Sequence, residues 1–319
     1  MGRKVLENVR MGDCWTMYIG AVDGVLRAAG WWSDETYLLM GMTGMAFHFI
    51  MHKAACPSSV TVYPWDQEHL TMLDRIGVYS EIFCGDATMN TFELMQREAV
   101  ERIKASIDRG IGVVVWAPSP VLEFGIVNGY DDEDGVFFID SGIPGQANDP
   151  LLYTNLGKSE VPLLFWQIFK GKVEVNREKV FRDSLRYGIG EWNKVFHMNP
   201  DYSSGRKAYD NLIGTLERGD YGPFGLCYNM AVYADAKDCL ARYLGYVAAE
   251  SPGLKGLGRA ASLYREVAAD FKRIAELVPF RGGQSQADGA VVPEVTRLVK
   301  AARPLEEEAM AVIEKVIGK

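Results

Sequence analysis

Histidine is scarce in this chain. Four occur in 319 residues, His48, His52, His69 and His197, so chemistry that leans on imidazole has few candidates. The five cysteines, Cys14, Cys56, Cys84, Cys227 and Cys239, are odd in number, widely spaced and without a CxxC pair. That excludes a zinc ribbon, makes a disulfide framework unexpected and points to a reducing cytoplasm. The longest apolar stretch, YLLMGMTGMAFHFIMH, is broken by His48 and too short to span a bilayer, and it reads as a buried helix. MGRKVLENVRMGDCW carries charges where a signal peptide needs an apolar run, and MGRKVL lacks the Ser/Thr of a myristoylation signal. There is no basic stripe. A net charge of −8 speaks against a nucleic-acid partner and against docking on anionic lipid, so neither a nucleic acid nor a membrane is expected as partner.

What is present suits a folded protein. Apolar residues make up 48 % and charged residues 24 %, enough for a packed core and too apolar for disorder. Helical periodicity runs from Asp13, a good N-cap, to a stop at Gly30. A second helix is expected over ETYLLMGMTG, and MAFHFIMHKAA is compatible with helix or strand. SVTVYPW reads as a short strand, DQEHLTMLDRIG as a helix closed by Gly77, and TFELMQREAVERIKASIDRG as an amphipathic helix closed by Gly110. IGVVVWA, EFGIVNGY, GVFFID and EVPLLFWQIFKGKVE then read as strands, with DDEDG as a turn. Helices followed by an antiparallel sheet imply an α+β class. Beyond Asn199 the apolar stripes are helical again. The expected division is an α+β domain over 1–200 and a helical domain over 201–319, whose helices offer a homodimer interface.

One cysteine sits where a nucleophile belongs. If Cys14 lies in the first turn of its helix, unpaired N–H groups and the helix dipole favour its thiolate; the competing reading is a small apolar core residue. Gly12 and Trp15 flank it, and Asn8, six residues earlier, could turn its amide toward an oxyanion. Glu123 lies six before Gly129–Tyr130, and Asp140 precedes Ser141–Gly142.

The order Asn8, Cys14–Trp15, Glu123 and Asp140 resembles the papain-like cysteine-peptidase fold, in which Gln, Cys–Trp, His six before Gly–Tyr, and Asn or Asp before Ser form the site. CWTMYIGAVDGVLRAAG, ETYLLMGMTGMAF and EFGIVNGYDDEDGVFFID, followed by a helical C-terminal half, resemble more closely the family of the butirosin-biosynthesis protein H N-terminal domain. The resemblance implies a hydrolase or acyltransferase acting on an amide or thioester acyl group from a small molecule or acyl carrier, in specialised metabolism, with no cofactor. Cys14 would be nucleophile, Asn8 oxyanion donor, Glu123 the residue in the base position and Asp140 its orienter. Trp15, Trp65, Trp116 and His48 would line the substrate groove.

Two departures bear on activity. Asn8 is one methylene shorter than glutamine, and Glu123 replaces the imidazole. Two like charges about 4 Å apart at an effective dielectric near 20 repel by roughly 4 kcal/mol, about three pKa units. An ionised Glu123 would therefore oppose a Cys14 thiolate, and the rival reading is a pseudoenzyme, a non-catalytic module that binds a small molecule or peptide. Other signals are weaker. His48, His52 and Cys56 share one face only if their segment is helical, and no metal site is expected there. His69 and His197 read as solvated, Asp131, Asp132, Glu133 and Asp134 as a wet acidic turn, and Glu306, Glu307 and Glu308 as a wet helix face.

Overall fold

The computed structural model describes residues 2–143 and 147–318. In chain order its elements are β1 (Arg3–Val5), α1 (Met17–Ala28), α2 (Thr36–Thr43), β2 (Ile50–His52), α3 (Trp65–Arg75), β3 (Val78–Asp86), α4 (Phe92–Asp108), β4 (Val113–Trp116), β5 (Phe124–Asp131), β6 (Val136–Asp140), β7 (Leu151–Leu152), β8 (Leu163–Lys172), α5 (Arg177–Trp192), β9 (Tyr202–Ser204), α6 (Arg206–Arg218), α7 (Pro223–Glu250), α8 (Leu257–Leu277) and α9 (Val292–Ile317). The α+β class is as expected. Among the described residues, no helix is long and apolar enough to cross a membrane.

The chain forms two compact units, Met1–Thr36 with Trp65–Glu174, and Tyr37–Pro64 with Val175–Lys319. A single division near residue 200 does not coincide with these units. Residues 37–64 and 175–200 group with the C-terminal helices, because β2 pairs antiparallel with β9 and because the ring of Tyr243 fills the space that a Cβ on Gly41 would need.

The first unit is built on a seven-stranded sheet in the order β3-β8-β4-β5-β6-β7, with β1 beside the second half of β5. Its pairs are antiparallel. Phe124–Val127 of β5 pairs with β4, and Gly129–Asp131 pairs with β1. The amphipathic helix α4 lays Ala99, Ile103 and Ile107 on the face carrying Val113, Val115, Val127 and Ile168. The alternate residues, Phe124, Ile126, Phe165 and Gln167, face α1 and α3.

Glycine stops α1 and α4 as the sequence signals. Gly30 (φ +70°) and Gly110 (φ +83°) adopt left-handed conformations. Their N–H groups return to Arg27 and Ile107, and those of Trp31 and Ile111 to Leu26 and Ser106, which is the Schellman pattern. The apolar run after Glu35 is a helix that breaks at Gly44 (φ +88°) and passes through a 3-10 turn into β2. SVTVYPW is not a strand: Pro57–Val60 forms a 3-10 turn, with Pro57 starting it and Ser59 Oγ donating to the Cys56 carbonyl.

The second unit is helical apart from the β2–β9 ribbon. Its core holds an ion pair. Lys237 Nζ donates to Glu306 Oε1 at 2.5 Å, Tyr209 donates to Oε2 at 2.6 Å and Tyr264 to Oε1 at 3.0 Å. Glu306 is buried rather than wet, because α9 presents it on the same face as Ala302, Ala309, Met310 and Ile313.

Candidate functional site

Residues before α1 run back along that helix. Gly12 N–H donates to the Gly20 carbonyl at 2.8 Å. A Cβ on Gly24 would stand 1.8 Å from the Arg10 carbonyl oxygen, and one on Gly20 would stand 2.9 Å from that of Gly12. Two glycines one turn apart thus make the groove in which Arg10–Gly12 lies. This docking delays the helix. Its N-cap is Thr16, not Asp13, and Cys14 lies two residues before the cap rather than in the first turn. Thr16 makes no side-chain cap bond, and the first turn of α1 carries no acidic residue. Cys14 is partly exposed and not in a disulfide, and Trp15 beside it is 44 % exposed.

Asp140 ends β6 and reaches this segment. Its Oδ2 accepts the Met11 N–H at 3.1 Å, while Oδ1 accepts Gly142 N–H at 3.0 Å and the Asn148 amide at 3.4 Å. The carboxylate ties the end of the sheet to the loop that leads into Cys14. Ser141 is held by Asn148 through both its N–H and its hydroxyl. Glu123 is partly exposed and stands immediately before β5, which pairs with β6; its carbonyl accepts the Ala117 N–H at 2.8 Å. Ala117 takes a left-handed φ of +45°, an uncommon conformation for a residue with a Cβ.

Asn8 is not brought to Cys14. Its amide donates to the Ala28 carbonyl at 3.4 Å, at the far end of a 12-residue helix that rises roughly 18 Å. The oxyanion role expected of Asn8 has no geometric basis here.

The aromatic residues cluster around Phe124. Trp65 and Trp116 lie 4.7 Å apart between centroids, and each packs edge-on against Phe124. Tyr18, in the first turn of α1, stacks on His69 at 3.5 Å and donates to Gln167 Oε1 at 2.9 Å; Gln167 in turn donates to Ser80 at 2.9 Å. His69 is therefore not solvated. It is fully buried, because α3 turns it inward with Met72 and Leu73. Sequence reasoning missed Tyr18, His69 and Gln167. The signal for His69 was its i+4 spacing from Trp65 and its place on the apolar stripe of α3.

His48 belongs to the second unit. It is buried, its Nε2 bonds the Tyr187 hydroxyl, and its ring meets Tyr63 edge-on at 4.8 Å. His52 lies on β2 and Cys56 after it, so the helical face that would have aligned them does not form. Burial holds the His52 imidazole below its ordinary pKa, and its Nδ1 accepts the Ala54 N–H. His197 is half-buried and bonds the Val62 carbonyl at 2.8 Å. Among the described residues, no group of three or more His, Cys, Asp or Glu is placed to hold a metal ion. The acidic turn is not simply wet either. Asp131 is buried beside Arg3, and Asp132 accepts from Lys104, Gly2 N–H and Tyr153, which holds its carboxyl down at about 2.

A scan against protein-family models finds no match for this chain, and a search of curated proteins finds none.

Proposed function

We propose that the first unit is a papain-like thiol hydrolase or acyltransferase-like protein in which Cys14 attacks an amide or thioester carbonyl. The observation that carries this reading is the Asp140–Met11 hydrogen bond. It couples the acidic end of the sheet to the loop bearing a partly exposed thiol, next to a helix whose first turn carries no acidic residue. In the proposed step a sulfur–carbon bond forms and the substrate C–N or C–S bond breaks. The leaving amine or thiol takes up a proton, and water or an acceptor amine then removes the acyl group and restores the thiol. The first-turn N–H groups of α1 take the oxyanion role expected of Asn8. Glu123 would take the proton-accepting role that the resemblance gives its position, and Asp140 anchors the loop. Trp15, exposed beside the sulfur, offers an apolar surface to the acyl group. The substrate is a small molecule or acyl carrier of specialised metabolism, met in the cytoplasm.

A second reading, a non-catalytic module binding a small molecule or peptide, is favoured by the carboxylate at 123 and by the commitment of Asn8 to Ala28. Iodoacetamide modification followed against pH separates the two. The first reading predicts labelling near neutral pH that Cys14→Ala abolishes and that Glu123→Gln accelerates, since a like charge is removed. Labelling of Cys14 confined to pH above about 9–10 supports the binding module. Cys227 and Cys239 give little background, because burial pushes both thiols up.

A further inference from the structure

The second unit carries an apolar prong that the proposed thiol chemistry does not use. Between the end of α5 and β9, Val195, Phe196 and Met198 are 60 %, 85 % and 68 % exposed. Scattered surface hydrophobes need no explanation, but three large ones side by side on one loop do. The base of the loop is well anchored. Lys194 Nζ bonds Glu191 at 2.8 Å, the Arg206 guanidinium donates to Asn193 Oδ1, and Lys207 Nζ donates to the Val195 carbonyl at 3.2 Å. His197 Nε2 donates to the Val62 carbonyl, and its Nδ1 accepts the Asn199 N–H at 3.1 Å. These bonds hold the backbone while its apolar side chains stay in water.

The charges behind the prong are positive. Lys194 is offset by Glu191, and Lys53 by Asp201 at 2.8 Å. Arg206 and Lys207 are both exposed, and the acceptors they hold here are neutral, an amide oxygen and a backbone carbonyl. They also open α6, at the positive end of its dipole, where cations are ordinarily disfavoured. A chain of net charge −8 thus concentrates two uncompensated cations beside three exposed apolar side chains. Screening over about 8 Å at physiological salt makes this local charge, not the total, the one a nearby surface meets.

Three side chains are far short of a stable protein interface, which takes on the order of 800 Å² from each partner. A bilayer accepts a single inserted tip, with apolar residues at the acyl boundary and cations among the headgroups. We infer that the loop over 194–198, with Arg206 and Lys207, docks the second unit on an anionic lipid surface, Phe196 and Met198 entering the acyl boundary.

The test is co-sedimentation of the full chain with vesicles of phosphatidylcholine alone and of phosphatidylcholine mixed with phosphatidylglycerol. The inference predicts binding to the mixed vesicles, weak binding to the neutral ones, and loss of binding as salt rises. Arg206→Gln with Lys207→Gln should weaken binding about tenfold or more, and Phe196→Ser with Met198→Ser should reduce it to the level seen with neutral vesicles. All four positions are exposed, and an unchanged circular-dichroism spectrum confirms that each double variant folds. Equal binding to both vesicle types, no binding to either, or binding that survives both double variants overturns the inference. So does a concentration-dependent dimer, seen by light scattering, that Phe196→Ser abolishes, because the prong then serves a second copy of the chain.

Discussion

Lys237 and Glu306 show what a single side chain can hide. Both lie in the core of the second unit, with Lys237 Nζ 4.5 Å from the centroid of the Phe49 ring and Glu306 ringed by two tyrosine hydroxyls. Burial lowers the Lys237 pKa, against the opposing pull of Glu306. Removing one partner leaves a buried charge uncompensated. Lys237→Met is therefore expected to cost about 3–5 kcal/mol in urea denaturation. The double variant Lys237→Met, Glu306→Gln removes both charges and leaves an amide oxygen to accept from one tyrosine hydroxyl and an NH2 to donate to the other, and it should recover part of that loss. A single variant no worse than the double would show the pair to be dispensable. In the sequence, Glu306–Glu308 reads as a solvated run because three adjacent carboxylates suggest water. Only the spacing of Ala302, Glu306, Ala309, Met310 and Ile313 on one face discloses the burial. Of the candidate site, the end of β6 at Asp140 was legible from the strand pattern, whereas Cys14 stands before its helix rather than in the first turn. Asn8 was not legible in that way: counting residues back from Cys14 says nothing of a segment that doubles back along α1 to its far end.

At the scale of elements, α1 depends on the pair Gly20 and Gly24. They are invisible to a hydrophobic-periodicity reading, yet they decide where the helix begins and where Cys14 stands. Gly24→Ala would press a methyl against the Arg10 carbonyl at a separation of 1.8 Å, so the segment must move. Thermal unfolding should show a destabilisation of about 1–3 kcal/mol, with a changed Cys14 alkylation rate because the Cys14 loop moves with its anchor. A stable Gly24→Ala variant with unaltered labelling would show that the segment does not set the thiol. The amphipathic helix α4 and the apolar strands β4, β5 and β6 were legible because period and glycine stops agree. β3 was not, since VYSEIFCGD at the sheet edge leaves Tyr79, Cys84 and Asp86 exposed and breaks clean alternation. His52–Val60 defeated the reading for another reason. Asn229 of α7 donates to the Ala55 and Cys56 carbonyls at 3.3 and 3.0 Å, and Ala55 is held at φ +48°, so distant partners rather than local propensity shape this stretch.

The whole molecule is less legible than its elements. A change of texture along the chain suggests one boundary, whereas each compact unit draws on two separated stretches. The cause is long-range pairing: β2 finds β9 in one unit, and β1 finds β5 in the other. The account's central claim is still a local one, that the first unit presents Cys14 as its acyl-accepting group. It is tested most directly by incubating the full chain with a small acyl thioester at neutral pH and measuring intact and peptide masses. The account predicts one acyl mass on the peptide containing Cys14, absent in Cys14→Ala and lost with time as water or an added amine removes it. No adduct, or an adduct on another cysteine that survives in Cys14→Ala, would contradict it.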